Sequence, residues 1–184
     1  MTKENKNTKI ALLRGINVAG KNKIPMAELR TLLTNRGLEE VKTYIQSGNI
    51  IFKSLKISQS NLETKINKAI KSHFGLNVPV LVKSRQELQH IFDNCPFSEE
   101  KKVNSYFIML TKKPNVDLVK EASQKTYENE EYVIHNDSIY FYAANGYGRA
   151  KFNLNYFERK LNVNATARNY KTMVKLLSLS QTTD

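Results

Sequence analysis

KIALLRGINVAGKNKIPMAELRTLL, residues Lys9 to Leu33, divides into an apolar strand (Ile10–Leu13), a basic glycine loop (Arg14–Lys23) and an amphipathic helix opened by Pro25. Proline suits a first helical turn because its φ is already helical and its missing N–H has no partner there. Met26, Leu29, Leu32 and Leu33 recur at helical spacing. Gly37 stands where a left-handed residue would close that helix. The loop places two glycines, three cations and Asn17 in one short connection.

Outward from this stretch, Val41–Gln46 and Asn49–Phe52 are β-rich runs parted by Ser47–Gly48, which is hairpin spacing. Ser60 and Glu63 read as a capping box for a second helix, with Leu62, Ile66, Ala69, Ile70 and Phe74 inward and Gly75 at its end. Val78–Val82 is a further buried strand, so the order to this point is βαββαβ. Ser84 and Glu87 cap a short connector helix with Leu88, Ile91 and Phe92 on its inner face. From Tyr106 the pattern repeats: strand Tyr106–Leu110, helix Val116–Thr126, strands Tyr132–His135 and Ile139–Tyr142 around Asn136–Asp137, and helix Phe152–Leu161. A short strand is expected near Val163, then a last helix over Ala167–Leu179. The predicted fold class is α+β: two ferredoxin-like βαββαβ halves, residues 9–84 and 85–179, with antiparallel sheets covered by helices and a C-terminal helix.

Composition bounds the function. Of 184 residues, 40% are hydrophobic and 25% charged, which fits a soluble globular chain. No apolar run approaches the roughly 20 residues that span a bilayer, so no membrane partner is expected. Met1–Lys9 lacks the apolar segment of a secretory signal and reads as a short disordered tail, as does Ser180–Asp184. With Cys95 the single cysteine, an intramolecular disulfide is impossible and a cytoplasmic location is expected. The net charge of +12 suggests a polyanionic partner. The opposing reading is compositional, since lysines such as Lys65, Lys68 and Lys71 only form the solvated face of a helix.

Gly15 to Lys21 has the G-x-x-x-x-G-K frame of a phosphate-binding loop, but Asn22 stands where that motif needs Ser or Thr for magnesium. Pro25 also delays the helix by some four residues, so the motif is a lookalike. Helix starts are more informative. Acidic side chains suit a first turn, where exposed cations cost about 0.3–1 kcal/mol each. The helices near Ser60, Ser84 and Asn115 follow this with Glu63, Glu87 and Asp117. Three others reverse it: Lys21 and Lys23 before Pro25, Arg149 and Lys151 before the Phe152 helix, and Arg168 after Thr166. A bound anion would offset that placement, because free N–H groups and cations would both point at it.

Gln46, Ser47 and Asn49 lie at the hairpin turn, ordinary turn residues that gain interest because the first and third strands adjoin in a ferredoxin-like sheet. His73, His90 and His135 have no metal-ligand spacing, and Cys95 reads as a small buried thiol. Tyr140 and Tyr142 alternate along a strand, where core or rim packing outweighs base stacking.

RGINVAGKNKIPMAELR (14–30), TYIQSGNIIF (43–52), Gly148-Arg149-Ala150-Lys151 and Thr166-Ala-Arg-Asn169 together resemble a bacterial family of uncharacterised function. Its members open with strand–RGINVGGKNK–helix and continue with TYIQSGNVVF. Ala19 departs from the usual glycine and Tyr170 from a common tryptophan. The resemblance implies two ferredoxin-like subdomains and brings no activity, substrate or catalytic residue.

The expected function is therefore a basic binding module. Arg14, Gly15, Asn17, Gly20, Lys21 and Lys23, with Gln46, Ser47, Asn49, Arg149, Lys151 and Arg168, would hold an anionic ligand: a nucleotide, a phosphorylated metabolite or nucleic acid. No cofactor, metal or catalytic residue is assigned. Two alternatives stay open, an enzyme acting on a small phosphorylated metabolite and a structural or regulatory partner-binding protein.

Overall fold

The computed structural model describes residues 6–181. They divide into two units, one running to Leu88 and resuming at Leu176, the other spanning Gln89–Lys175.

In the first unit, β1 (Asn7–Leu13) leads to α1 (Met26–Asn35), β2 (Glu39–Tyr44), β3 (Asn49–Ser54), α2 (Gln59–Phe74) and β4 (Val80–Ser84). The sheet order is β2-β3-β1-β4, antiparallel throughout. This is the expected ferredoxin-like arrangement, in which each helix crosses one face of the sheet. Pro25 is the N-cap of α1, in extended conformation. Met26, Leu29, Leu32 and Leu33 are the buried stripe, packed with Ala11, Leu13, Ile50, Phe52 and Val82. Each such side chain contributes about 1.5–3 kcal/mol on burial, which holds α1 down more firmly than helix propensity does.

Local details differ from expectation where a tertiary partner intervenes. The N-cap of α2 is Ser58, whose hydroxyl accepts from Asn61 N at 3.3 Å, rather than Ser60. Glu63 closes no box with Ser60; its carboxylate accepts the outward amide of Val82 on edge strand β4 at 2.9 Å. Ser84 and Glu87 do form the reciprocal box, at 2.7 and 3.1 Å, for α3 (Arg85–Asp93). The N-terminal tail expected over Met1–Lys9 fails for its last three residues, which pair with Ser54, Lys53 and Phe52 because β3 extends far enough to need a partner. Residues 1–5 lie outside the described part. So do 182–184 of the expected C-terminal tail, whereas Ser180 is buried and bonds Leu177 O at 3.3 Å.

The second unit repeats the plan. After α4 (Glu99–Lys102) come β5 (Tyr106–Leu110), α5 (Val116–Ala122), β6 (Glu130–His135), β7 (Ser138–Ala143), a 3₁₀ turn (Tyr147–Arg149), α6 (Leu154–Leu161) and β8 (Ala165–Asn169). The order β6-β7-β5-β8 matches the first sheet element for element. Helix α7 (Tyr170–Leu179) is the last element among the described residues. One sheet face packs Ile108, Leu110, Ile139 and Phe141 against Phe157 and Leu161 of α6. On the other face Phe92 stacks on Phe107, with centroids 5.4 Å apart, and the Tyr140 hydroxyl donates to Ile91 O at 2.8 Å. Tyr140 is thus a core residue, 1% exposed.

Candidate anion-binding site

The loop from Arg14 to Lys23 is wound by backbone conformation. Gly15, Asn17, Ala19, Gly20 and Asn22 all have positive φ, from +48° to +76°. Two asparagine side chains hold the winding. Asn17 Nδ2 donates to Ile24 O (3.0 Å) and Gln46 O (2.9 Å), while its Oδ1 accepts from Ile24 N (2.8 Å). Asn22 Nδ2 donates to Gly15 O at 2.8 Å, and the backbone closes Asn17 N to Asn22 O at 3.1 Å. Inside this frame Val18 O accepts the Lys21 amide at 2.9 Å, a tight turn at the loop tip.

The hairpin turn reaches this loop. It is a four-residue turn, Ile45–Gly48, rather than the two-residue Ser47–Gly48 connection, and Tyr44 lies opposite Asn49. Within the longer turn Ile45 takes φ +49°, a costly conformation for a β-branched residue. Leu12 pairs with Asn49, so the turn lies just past the end of β1. Leu13 N donates to Gly48 O at 2.8 Å. A Cβ on Gly48 would lie 2.6 Å from Leu13 Cβ, so only glycine fits against the strand end. Asn49 is fully buried, and its amide donates to Tyr44 O and Ser47 Oγ, both at 3.0 Å. The RGIN and QSGN segments therefore brace each other.

This geometry sorts the expected residues of the first unit. Asn17 and Asn49 commit their amide groups to the scaffold. Gly20, Lys21, Lys23 and Gln46 remain exposed at the surface, with Gly15 exposed and Arg14 half-buried at the loop's root. Lys21 and Lys23 make no ion pair among the described residues. From Asn5 to Ala27 the chain carries Lys6, Lys9, Arg14, Lys21 and Lys23 and no acid. The Ala19 and Gly20 amides donate to no protein acceptor among the described residues.

The other two basic helix starts do not hold as expected. Helix α6 begins at Leu154 with Asn153 as its cap, so Arg149 and Lys151 precede it, Arg149 in the 3₁₀ turn. The amides there already have an anion: the Glu130 carboxylate accepts from Lys151 N (2.5 Å) and Phe152 N (2.9 Å). Arg168 is not in a helix at all. It sits on β8 opposite Phe107, 9% exposed, and α7 starts two residues later. Strand pairing with β5 takes in Ala167 and Arg168, which the expected last helix over Ala167–Leu179 includes. Burial pulls the Arg168 guanidinium down to about 10.

The remaining ionisable groups among the described residues form no cluster that could hold a metal ion: no three His, Cys, Asp or Glu gather. His73 Nε2 lies 2.6 Å from Glu28 Oε1 on the surface. Burial pushes the Cys95 thiol up, away from the thiolate a nucleophile needs. In the second unit a pocket of about 440 Å³ is lined by residues including Tyr106, Tyr142 and Tyr147, of which the sequence marks only Tyr142 as a base-stacking candidate. The available signal was Tyr147 lying between Gly146 and Gly148.

Comparison with known proteins agrees with this architecture. Conserved bacterial protein SP0830 from Streptococcus pneumoniae has a similar structure, with a TM-score of 0.72 and 26% identity over 96% of this chain and 100% of that one. No curated protein matches the chain. A family model described as "Protein of unknown function (DUF1697)" matches residues 7–140. That span carries the whole first unit's braced loop and turn and most of the second sheet, and the chain belongs to the DUF1697 family.

Proposed function

We propose that the Arg14–Lys23 loop and the Ile45–Gly48 turn bind a phosphate-bearing ligand or a nucleic-acid backbone. The observation that carries this reading is the exposed pair Lys21 and Lys23, without acidic partners, on a loop whose shape Asn17 and Asn22 already hold. A pre-shaped loop loses little conformational freedom on binding, so its contacts are expressed as affinity. Cations neutralise phosphate charge, and the tip amides of Ala19 and Gly20 add hydrogen-bond donors. Arg149, Lys151 and Arg168 leave the site, the first two because Glu130 holds the local amides and the third because it is buried in a strand.

Fluorescence anisotropy with a labelled single-stranded oligonucleotide, across a salt series, tests this together with a thermal-shift series of nucleotides and sugar phosphates. Binding to a polymer backbone weakens steeply with salt, and each lost contact lowers the slope by about 0.7–0.9. Lys21→Ala removes one charge-assisted contact, worth about 1.5–3 kcal/mol of binding, and leaves apo stability within a few tenths of a kcal/mol. No binding by either kind of ligand, or binding that Lys21→Ala with Lys23→Ala leaves unchanged, removes the loop from the site.

A further inference from the structure

The second unit's pocket is framed by three strand ends. β5 begins there with Tyr106, β7 ends there with Tyr142 and Ala143, and β8 ends there with Asn169, which pairs with Tyr106. Its volume of about 440 Å³ lies within the roughly 300–1,000 Å³ usual for small-molecule sites.

Three kinds of group line it. The first is a flat aromatic surface: the Tyr106 and Tyr147 rings stack with centroids 4.0 Å apart and planes 23° from parallel. Tyr147 is nonetheless 46% exposed. A Cβ at Gly146 or Gly148 would meet nothing within 4 Å, so the backbone on either side of Tyr147 is uncrowded. The second is a donor–acceptor pair. Asn169 uses its Oδ1 on Thr172 N at 2.9 Å, which leaves its NH₂ with no protein acceptor among the described residues. Asn104 does the reverse, donating to Glu100 O at 3.2 Å and keeping its Oδ1 as an acceptor. The third is a cation, Lys171, which is exposed and makes no ion pair among the described residues.

We propose that this pocket binds a nucleotide, with the base against the Tyr147 ring, its polar edge read by Asn104 and Asn169, and its phosphate neutralised by Lys171. An aromatic face accepts any base because every base has a π surface. A donor and an acceptor lining one pocket suit the edge of a base. The same chemistry is offered by a free mononucleotide and by one unit of a single strand. None of these residues belongs to the glycine loop, so this inference goes beyond the function proposed above.

Titration of the intact chain with AMP, ribose 5-phosphate and a short oligoadenylate, followed by calorimetry, tests it. AMP or the oligonucleotide is expected to bind, and ribose 5-phosphate about 5- to 150-fold more weakly than AMP because it lacks the stacked base. Tyr147→Ala is expected to weaken binding about 5- to 150-fold, and Tyr147→Phe to retain it. Lys21→Ala separates the two sites, since it changes loop binding and leaves the Tyr147-dependent signal in place. Tyr147-dependent binding of AMP alone, or of the oligonucleotide alone, supports the pocket and names its source. Equal affinity for AMP and ribose 5-phosphate overturns it. So does binding that neither Tyr147→Ala nor Lys171→Ala alters, or no binding by AMP and oligonucleotide alike.

Discussion

Replacing Gly48 with alanine adds one carbon at the point where the hairpin turn meets the end of β1. Gly48 has φ +79°, and the new Cβ would stand 2.6 Å from Leu13 Cβ and 2.9 Å from Ile16 Cδ1. Carbon atoms prefer about 3.5–4.0 Å, so the contacts are repulsive. Leu13 and Ile16 are 0% and 1% exposed and have no room to retreat. The left-handed conformation costs an L-residue about 1–2 kcal/mol. Overpacking a full core adds about 1–3 kcal/mol. The expected loss is therefore roughly 2–5 kcal/mol, a large share of the ~5–15 kcal/mol that holds a domain together. Gly20→Ala is the control that leaves the steric part as the difference: φ is +76°, yet an added Cβ meets nothing within 4 Å, so only the backbone cost applies. Urea unfolding followed by far-UV circular dichroism gives both values from the midpoint and slope. If Gly48→Ala lies within about 0.5 kcal/mol of Gly20→Ala, a difference the size of an ordinary surface substitution, the bracing of turn against strand is refuted.

Asn17→Ala strands Ile24 N and Gln46 O and is expected to cost about 1–3 kcal/mol in the same urea assay. A loss below a few tenths would show that the loop does not depend on that brace. For Tyr132, burial pushes the hydroxyl up to about 12, and it donates to Ala122 O and Lys125 O at 2.7 and 2.6 Å. Its unfolded form loses a proton near pH 10 while the folded form keeps it, so stability is full below pH ~10 and falls as pH rises toward about 12. Tyr132→Phe should flatten that alkaline decline by up to one proton, and an unchanged slope would exclude the tyrosine as its source.

Periodicity revealed the repeated βαββαβ plan because each element buries one face against its own sheet, and a buried face writes a period into the sequence. Caps made by neighbours in sequence, such as Ser84 with Glu87 and Asn115 with Asp117 N, were equally legible. Side chains spent on distant partners were not. Glu63 and Ser60 have capping-box spacing, but Glu63 belongs to Val82, 19 residues away. Arg149 and Lys151 look like an unoccupied anion site until Glu130 is folded across from β6. The loop shows both cases. Its glycines and cations announce an unusual connection, whereas the bond from Asn17 to Gln46, 29 residues on, appears only when β1 and β3 lie side by side.

The two halves act as controls for each other, because one topology closes both sheets with different lengths of chain. In the first half β1 reaches α1 through residues 14–25, and in the second β5 reaches α5 through residues 111–115. The relation inverts at the later connection, where β3 reaches α2 through 55–58 but β7 reaches α6 through 144–153. Short links suffice for this fold, as the sparser half shows in each case, and about 4–6 residues is the usual length. The added chain is therefore not required for closure. It is instead structured at some cost: five positive-φ positions in the Arg14–Lys23 loop, and a 3₁₀ turn carrying Tyr147 between residues 144 and 153. Extra length combined with a defined conformation is the mark of loops kept for binding rather than for connection. By that criterion each half has one elaborated loop, the basic one after β1 and the aromatic one after β7. Those two loops hold the phosphate-directed lysines and the base-directed tyrosine of the two proposed sites.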